Sequence, residues 1–315
     1  MTAPLDLDPL PSGKEQPTAF EYQRADSWEE AVELLRIWEG EAKIIAGGQS
    51  LVPMLNLRLT QPAALIDVNG IGDQGGPRVE QSDDVAGGTV LVIPALTRHR
   101  TILTSPVIAE HAPLLQHAAR LVGNVRVRNR GTFGGSIAHA DPTGELPCSV
   151  LALGGVVRLQ SPRGTRDVPI TEFFRTYLTT ATEEDEVVTE IRIPSAADGT
   201  WGFEEVTRRF SDFATVSVAV QVRDGQAAMP SVVLGGVADR PIRVDDEMLA
   251  DLDVNDAAAL EAIGTAVADS VDPESDVHAS ADYRRRLVRV LVGRALTTAL
   301  GTTTDEPQET KGAGA

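Results

Sequence analysis

Residues 43–51, Lys43-Ile44-Ile45-Ala46-Gly47-Gly48-Gln49-Ser50-Leu51, read as a short strand, a glycine turn and the start of a short helix that runs to about Leu59. Two adjacent glycines let backbone N–H groups approach a ligand with no Cβ in the way, and a helix N-terminus adds donors that have no partner inside the helix. An anion at such a turn is met by fixed dipoles rather than by mobile lysines. Ser50 is the expected cap, and Pro53 is tolerated within the first turn. No G-x-x-x-x-G-K-[ST] or G-x-G-x-x-G spacing surrounds the pair, so neither a P-loop nor a dinucleotide fingerprint is present. Taken alone, the pair fits an ordinary tight turn as well as a binding loop.

A second glycine pair lies at Thr132-Phe133-Gly134-Gly135-Ser136. It follows residues 124–130, where Val125 and Val127 alternate with Arg126, Arg128 and Arg130, a pattern that predicts an extended segment. Two such turns can clamp one diphosphate from both sides through N–H groups and the Thr132 and Ser136 hydroxyls. Behind the second turn, Asp141 and Glu145 are placed to accept hydrogen bonds from sugar hydroxyls; capping of the helix that Pro142 opens explains the same carboxylates equally well. His139 lies within this motif, whereas His99, His111 and His117 lack metal-ligand spacing and are assigned surface or capping roles. Trp28 and Trp38 suit the core side of the first helix.

Outward from these turns, residues 26–39 show helical spacing with Ser27 or Asp26 as cap and Gly40 as stop. Strands are predicted at 64–68, 90–94, 156–160 and 187–193, helices at 106–121 and 142–153, and turns or a hairpin over the glycine-rich 70–88. A polar break at 194–200 separates a second unit of three strands (201–208, 213–223 and 227–237), the last two joined across Asp224-Gly225. Helical stretches at 244–252, 256–271 and 279–300 follow, and this segregation of strands from helices predicts α+β. Residues 1–17 and 302–315 read as polar tails.

The composition sets limits on function. With 315 residues the chain is long enough for two domains, and 28 basic against 46 acidic residues give a net charge of −18, which excludes nucleic acid and anionic membranes as general partners. A single cysteine, Cys148, allows neither an intramolecular disulfide nor an iron–sulfur or zinc site built from this chain's own thiolates. No apolar run approaches the length of a membrane span and no signal-peptide pattern opens the chain, so a cytoplasmic location is expected.

Residues 46–59, residues 128–147, Arg208-Arg209-Phe210-Ser211-Asp212-Phe213-Ala214 and residues 278–287 together resemble the medium, FAD-binding subunit of molybdenum hydroxylases, the carbon monoxide dehydrogenase and xanthine dehydrogenase family. The resemblance covers about 20–300. It implies a two-subdomain FAD-binding domain of the vanillyl-alcohol-oxidase type over 18–196, then a three-stranded antiparallel sheet with helices over 199–301. Carried over, Ile45, Ala46, Gly47, Gly48, Gln49, Ser50 and Leu51 hold the pyrophosphate with Thr132, Phe133, Gly134, Gly135 and Ser136. Asp141 or Glu145 takes the ribose and adenine side, His139 lies in the cofactor environment, and Val188 approaches the flavin ring. Phe133 stands where an aliphatic residue is more usual, and Glu204 where xanthine dehydrogenase-like members carry lysine. The implied partners are a large molybdopterin subunit and a small subunit with two [2Fe–2S] clusters, assembled as a dimer of heterotrimers. No catalytic residue and no metal ligand is assigned to this chain.

Overall fold

The computed structural model describes residues 17–72, 75–82, 88–209, 211–223, 229–250 and 256–301. At the N-terminal end, β1 (Glu21–Arg24), α1 (Trp28–Ile37), β2 (Ala42–Ile45), α2 (Leu51–Asn56) and β3 (Ala64–Asp67) alternate, and the three strands form a parallel sheet in the order β1-β3-β2. Helix α1 starts where Ser27 Oγ accepts from Glu30 N at 3.1 Å, with Glu29 and Glu30 complementing the positive end of its dipole. Its Ala31, Val32 and Leu35 are buried against this sheet. All three strands end at one edge, where ligands of parallel α/β units bind, and the 46–50 turn leaves from there.

The next elements are β4 (Arg78–Gln81), β5 (Thr89–Pro94), α3 (His99–Thr104), α4 (Pro106–His111), α5 (Pro113–Leu121), α6 (Val125–Arg130), α7 (Phe133–His139), α8 (Glu145–Ala152), β6 (Val156–Ser161), β7 (Gly164–Pro169), α9 (Ile170–Phe173), β8 (Phe174–Thr176), β9 (Thr179–Thr180) and β10 (Val187–Pro194). Strands β4-β5-β10-β6-β7 form an antiparallel sheet, and β8 pairs with β9. Leu114, Leu115, Phe133, Ile137 and Leu146 fill the core between this sheet and α5, α7 and α8.

Two sequence expectations fail here. The helix expected over 106–121 breaks at Ala112 (φ −151°, ψ 61°), because the Pro113 ring excludes the helical conformation from the residue before it. The segment expected to be extended, 124–130, is instead the helix α6, begun by Asn124 Oδ1 accepting from Arg126 N at 2.9 Å. The Val/Arg alternation misleads because α6 buries no residue, so its pattern records no burial face.

The C-terminal half comprises β11 (Thr200–Thr207), β12 (Ala214–Val222), β13 (Ser231–Gly235), β14 (Ile242–Arg243), α10 (Asp246–Leu249), α11 (Ala257–Ser270) and α12 (Ala281–Leu300). Its antiparallel sheet has four strands in the order β11-β12-β13-β14, where three were expected. The fourth is two residues long, too short for periodicity to reveal it, and pairs Ile242 and Arg243 with Leu234 and Val233. Asp224-Gly225 and the two tails at 1–16 and 302–315 lie outside the described residues.

Every residue of β12 is buried. Val216, Val218, Val220 and Val222 pack toward α11 and α12, while Ala219 joins the core that contains α8. The two halves therefore share a packed interface, at which the buried Cys148 of α8 places Sγ 3.7 Å from Val233 O. Across β11, a Cβ on Gly202 would stand 2.1 Å from Ala295 O, so glycine is what lets α12 lie close.

Candidate functional site: the cleft between the two glycine turns

The first turn leaves donors open. Gly48 has φ +71°, a conformation glycine adopts without strain, and the N–H groups of Gln49, Ser50 and Leu51 make no hydrogen bond among the described residues. Ser50, expected to cap α2, makes no capping bond. A Cβ on Gly47 would stand 2.5 Å from Arg130 O and 2.8 Å from Gly131 Cα, so this glycine is where the two turns approach each other.

In the second turn most of the donors are already engaged. Phe133 N donates to Thr97 O at 2.8 Å, Gly134 N to Ala95 O at 2.8 Å, and Gly135 N weakly to Thr132 Oγ1 at 3.3 Å, where Thr132 caps α7. The expectation of N–H donors from both sides therefore fails for the second side: its amides tie α7 to the end of β5. A Cβ on Gly134 would lie 2.4 Å from Ala95 Cβ, so close packing is reason enough for glycine there. What the second turn presents to the cleft is Thr132, Gly134, Gly135 and Ser136.

Between the turns lies a cleft of about 850 Å³. Ala46, Gly47, Gly48, Gln49, Ser50 and Leu51 line it on one side, and His139, Asp141, Glu145 and Val188 extend it beyond the second turn. Two expected residues are placed elsewhere. The Phe133 side chain is fully buried in the core, and Ile45 lines a separate pocket of about 450 Å³ on the other face of the first turn, with Tyr22, Asp67 and Arg130. Val188 reaches the cleft where β10 bulges against β6.

The carboxylates differ in character. Asp141 accepts from Thr143 N at 2.8 Å and Thr143 Oγ1 at 2.6 Å, a local turn ahead of α8. Glu145 is buried, and desolvation, with Glu205 and Asp141 nearby, pushes its carboxyl up to about 8; burial alone pushes Glu205 up to about 7. Glu145 is therefore mostly neutral at pH 7 and able to donate a hydrogen bond as well as accept one. Burial lowers the His139 pKa, with Asp141 opposing. Glu204 stands outside the cleft lining, and burial raises its pKa against the opposing charge of Arg294.

Sequence reasoning missed several residues. His99, assigned a surface or capping role, is 3% exposed and lines the cleft, with Nε2 3.0 Å from Thr132 O. His111 and His117 are half-buried, the former with Nδ1 2.8 Å from Ser195 Oγ, the latter against the Trp201 ring at 5.0 Å. Trp28 lines the cleft as well as packing against the core. From the C-terminal half, Ser211, Asp212 and Phe213 reach the cleft, Ser211 at φ +66°. The run 208–214 was legible only as part of the resemblance.

The arrangement suits an extended dinucleotide: open amides for phosphate oxygens on one wall, hydroxyls on the other, and carboxyl groups farther along. Residues 18–196 match the family model for the FAD binding domain in molybdopterin dehydrogenase. The chain belongs to that family. Residues 201–299 of this flavoprotein match the CO dehydrogenase flavoprotein C-terminal domain. It is 36% identical to subunit alpha of the 6-hydroxypseudooxynicotine dehydrogenase complex of Paenarthrobacter nicotinovorans over 90% of this chain and 96% of that one. The carbon monoxide dehydrogenase medium chain of Hydrogenophaga pseudoflava is likewise 36% identical, over 90% and 98%. Quinoline 2-oxidoreductase from Pseudomonas putida 86 superposes with a TM-score of 0.83 at 32% identity, covering 91% of this chain and 99% of that one. The chain is thus a flavoprotein subunit of a molybdenum hydroxylase-type oxidoreductase, with FAD as its cofactor. No described helix is long and apolar enough to cross a membrane.

Proposed function

We propose that this flavoprotein is the electron-transfer subunit of a cytoplasmic molybdenum hydroxylase, taking electrons from [2Fe–2S] clusters of a small partner subunit and passing them to an external acceptor. A large molybdopterin subunit oxidises the substrate, and the complex is a dimer of heterotrimers. The observation that carries the cofactor reading is the row of open amides at Gln49, Ser50 and Leu51 facing Thr132 and Ser136 across the cleft. When bound, FAD supplies the exchange between one-electron and two-electron chemistry. The chain's own residues bind and orient. Residues 46–51 receive the diphosphate, Gly134 and Gly135 keep the opposite wall low, the neutral Glu145 carboxyl and Asp141 face the sugar side, and Val188 and His139 border the ring side. Ile45 and Phe133 support the two turns from behind.

In this reading 18–196 is a two-subdomain unit of the vanillyl-alcohol-oxidase type, divided between the parallel and the five-stranded sheet, and 199–301 is the second domain. A single cysteine explains why the clusters must sit on another chain. The purified chain is expected to be yellow and to release intact FAD on acid precipitation. Flavin reduction by the organic substrate in stopped flow is expected only after the molybdenum and iron–sulfur subunits are added. Substrate-driven bleaching of the chain alone overturns the electron-transfer assignment in favour of a self-contained oxidoreductase.

A further inference from the structure

The two glycine turns are tied to each other through the start of α3. Arg98 Nη1 donates to Arg130 O and Nη2 to Asn69 Oδ1 at 2.7 Å, and Asn69 Nδ2 donates in turn to Ala46 O at 2.7 Å. His99 N donates to Gly131 O at 3.1 Å, and its ring Nε2 lies 3.0 Å from Thr132 O and 2.9 Å from Ser136 Oγ. A carbonyl oxygen only accepts, so Nε2 carries the proton and Nδ1 the lone pair. Nδ1 is buried without a partner, and desolvation, with Arg98 and Arg128 adding to it, lowers the imidazole pKa to about 4, which keeps it neutral in this single tautomer. A Cβ on Gly131 would meet His99 Cε1 at 2.7 Å and Nδ1 at 2.8 Å, so the ring packs where only glycine leaves room.

We propose that Arg98 and His99 are a positioning pair that sets the separation and orientation of the two turns for the FAD diphosphate: Arg98, through Asn69, holds the first turn, and His99 holds the second. The inference rests on the FAD reading of the cleft. No direct hydrogen bond joins the two turns among the described residues; the adjacent Arg98 and His99 side chains at the start of α3 link them, beside the backbone bonds that Thr97 and His99 make to the second turn. Arg98 is half-buried, with the Asp67 carboxylate offsetting part of its charge and Arg130 adding a like charge beside it.

The test is FAD titration of the full-length apo chain, read by flavin fluorescence, alongside its thermal midpoint. His99→Leu and Arg98→Leu are expected to weaken FAD about tenfold or more, the scale of one or two well-placed hydrogen bonds. His99→Gln, which returns an N–H donor at the Nε2 position, is expected to recover most of that loss; a purely space-filling role predicts no such rescue. The exposed Asn69→Ala removes the acceptor for Arg98 Nη2 and the donor to Ala46 O and Asp67 Oδ1, which cuts the Arg98 link to the first turn with little risk to folding, and is expected to weaken FAD by about threefold. Wild-type affinity in His99→Leu or in Asn69→Ala, or a Gln variant as weak as Leu, overturns the pairing. Failure of the wild-type chain itself to take up FAD overturns the cofactor reading instead, and the two failures are told apart by that control.

Discussion

The two glycine turns look alike in sequence and differ in physics. At Gly47-Gly48 the following amides are open and the glycines serve a close approach and a left-handed backbone. At the second pair the Phe133 and Gly134 amides are tied to Thr97 and Ala95, just past β5, and Gly134 is glycine because Ala95 lies where a side chain would start. One turn leaves donors open toward the cleft and the other builds the wall opposite it. The same dipeptide thus borders an open cleft in one place and answers to the core in the other, and substitution at each should separate the two demands.

The largest effect is expected at Gly134. In Gly134→Val the new Cβ collides with the Ala95 Cβ at 2.4 Å and its backbone at 2.8 Å, inside a core with no slack. The variant should lose about 3 kcal/mol or more, seen as a collapse of the denaturation midpoint and of soluble yield whether or not FAD is present. A soluble Gly134→Val with a wild-type midpoint and merely weakened FAD would reverse the assignment of this glycine to packing.

Next comes the carboxyl that follows the second turn and has no counterpart after the first. The Glu145 pKa is raised in the folded state to about 8, chiefly by desolvation. In the unfolded chain the group ionises near its ordinary value, so between about pH 4.5 and 8 the folded state holds a proton that the unfolded state has released, and stability falls as pH rises through that window. Glu145→Gln removes the burden. The apo variant should exceed wild type by an amount on the order of a few kcal/mol at pH 8.5, the gap closing as the pH approaches 5. A gap independent of pH would mean that Glu145 ionises normally.

A smaller and more selective loss is expected at Gly47. Gly47→Ala pushes against Arg130 O and Gly131 Cα and forces the turns apart. FAD should bind at least tenfold more weakly, about 1.4 kcal/mol, and because the buried Gly47 abuts the backbone of the second turn the apo midpoint should also fall, by less than in Gly134→Val. Full FAD retention would show that the approach of the turns is not what the diphosphate requires.

What was legible in the sequence follows the same division. Local chemistry was readable: the Ser27 start of α1, the turn after β2, the helix after Pro142 and the strand that became β10 all lie near their expected positions. The misread segments depend on distant partners. Nothing in Phe133-Gly134 announces that its amides bond to Ala95 and Thr97, nearly forty residues earlier, and nothing around His99 announces Thr132 and Ser136. A partial signal for His99 existed in Gly131, whose missing side chain makes room for the ring, but its meaning appears only once α3 and α6 are packed together. Helix α6 was misread because an alternating pattern on an unburied segment carries no information about faces.

The smallest expected difference uses the residues that the two turns share most closely, a hydroxyl beside each glycine pair. Sequence reasoning makes Ser50 available as a cap and reads the Thr132 hydroxyl as a donor to a diphosphate. Thr132 Oγ1 accepts from Gly135 N at 3.3 Å, while Ser50 sits in a helical conformation (φ −100°, ψ −47°) and caps nothing. Thr132→Ala should therefore cost about 1 kcal/mol in apo stability, the usual value of a lost N-cap, and Ser50→Ala should stay within about 0.5 kcal/mol of wild type. With saturating FAD the order should narrow if the Ser50 N–H, open at the cleft lining, is taken up by the proposed diphosphate, since the Thr132 cap is formed with or without it. Equal apo losses at the two positions would mean that the Ser50 hydroxyl closes the first turn in solution, and the open-donor account of that turn would have to be abandoned.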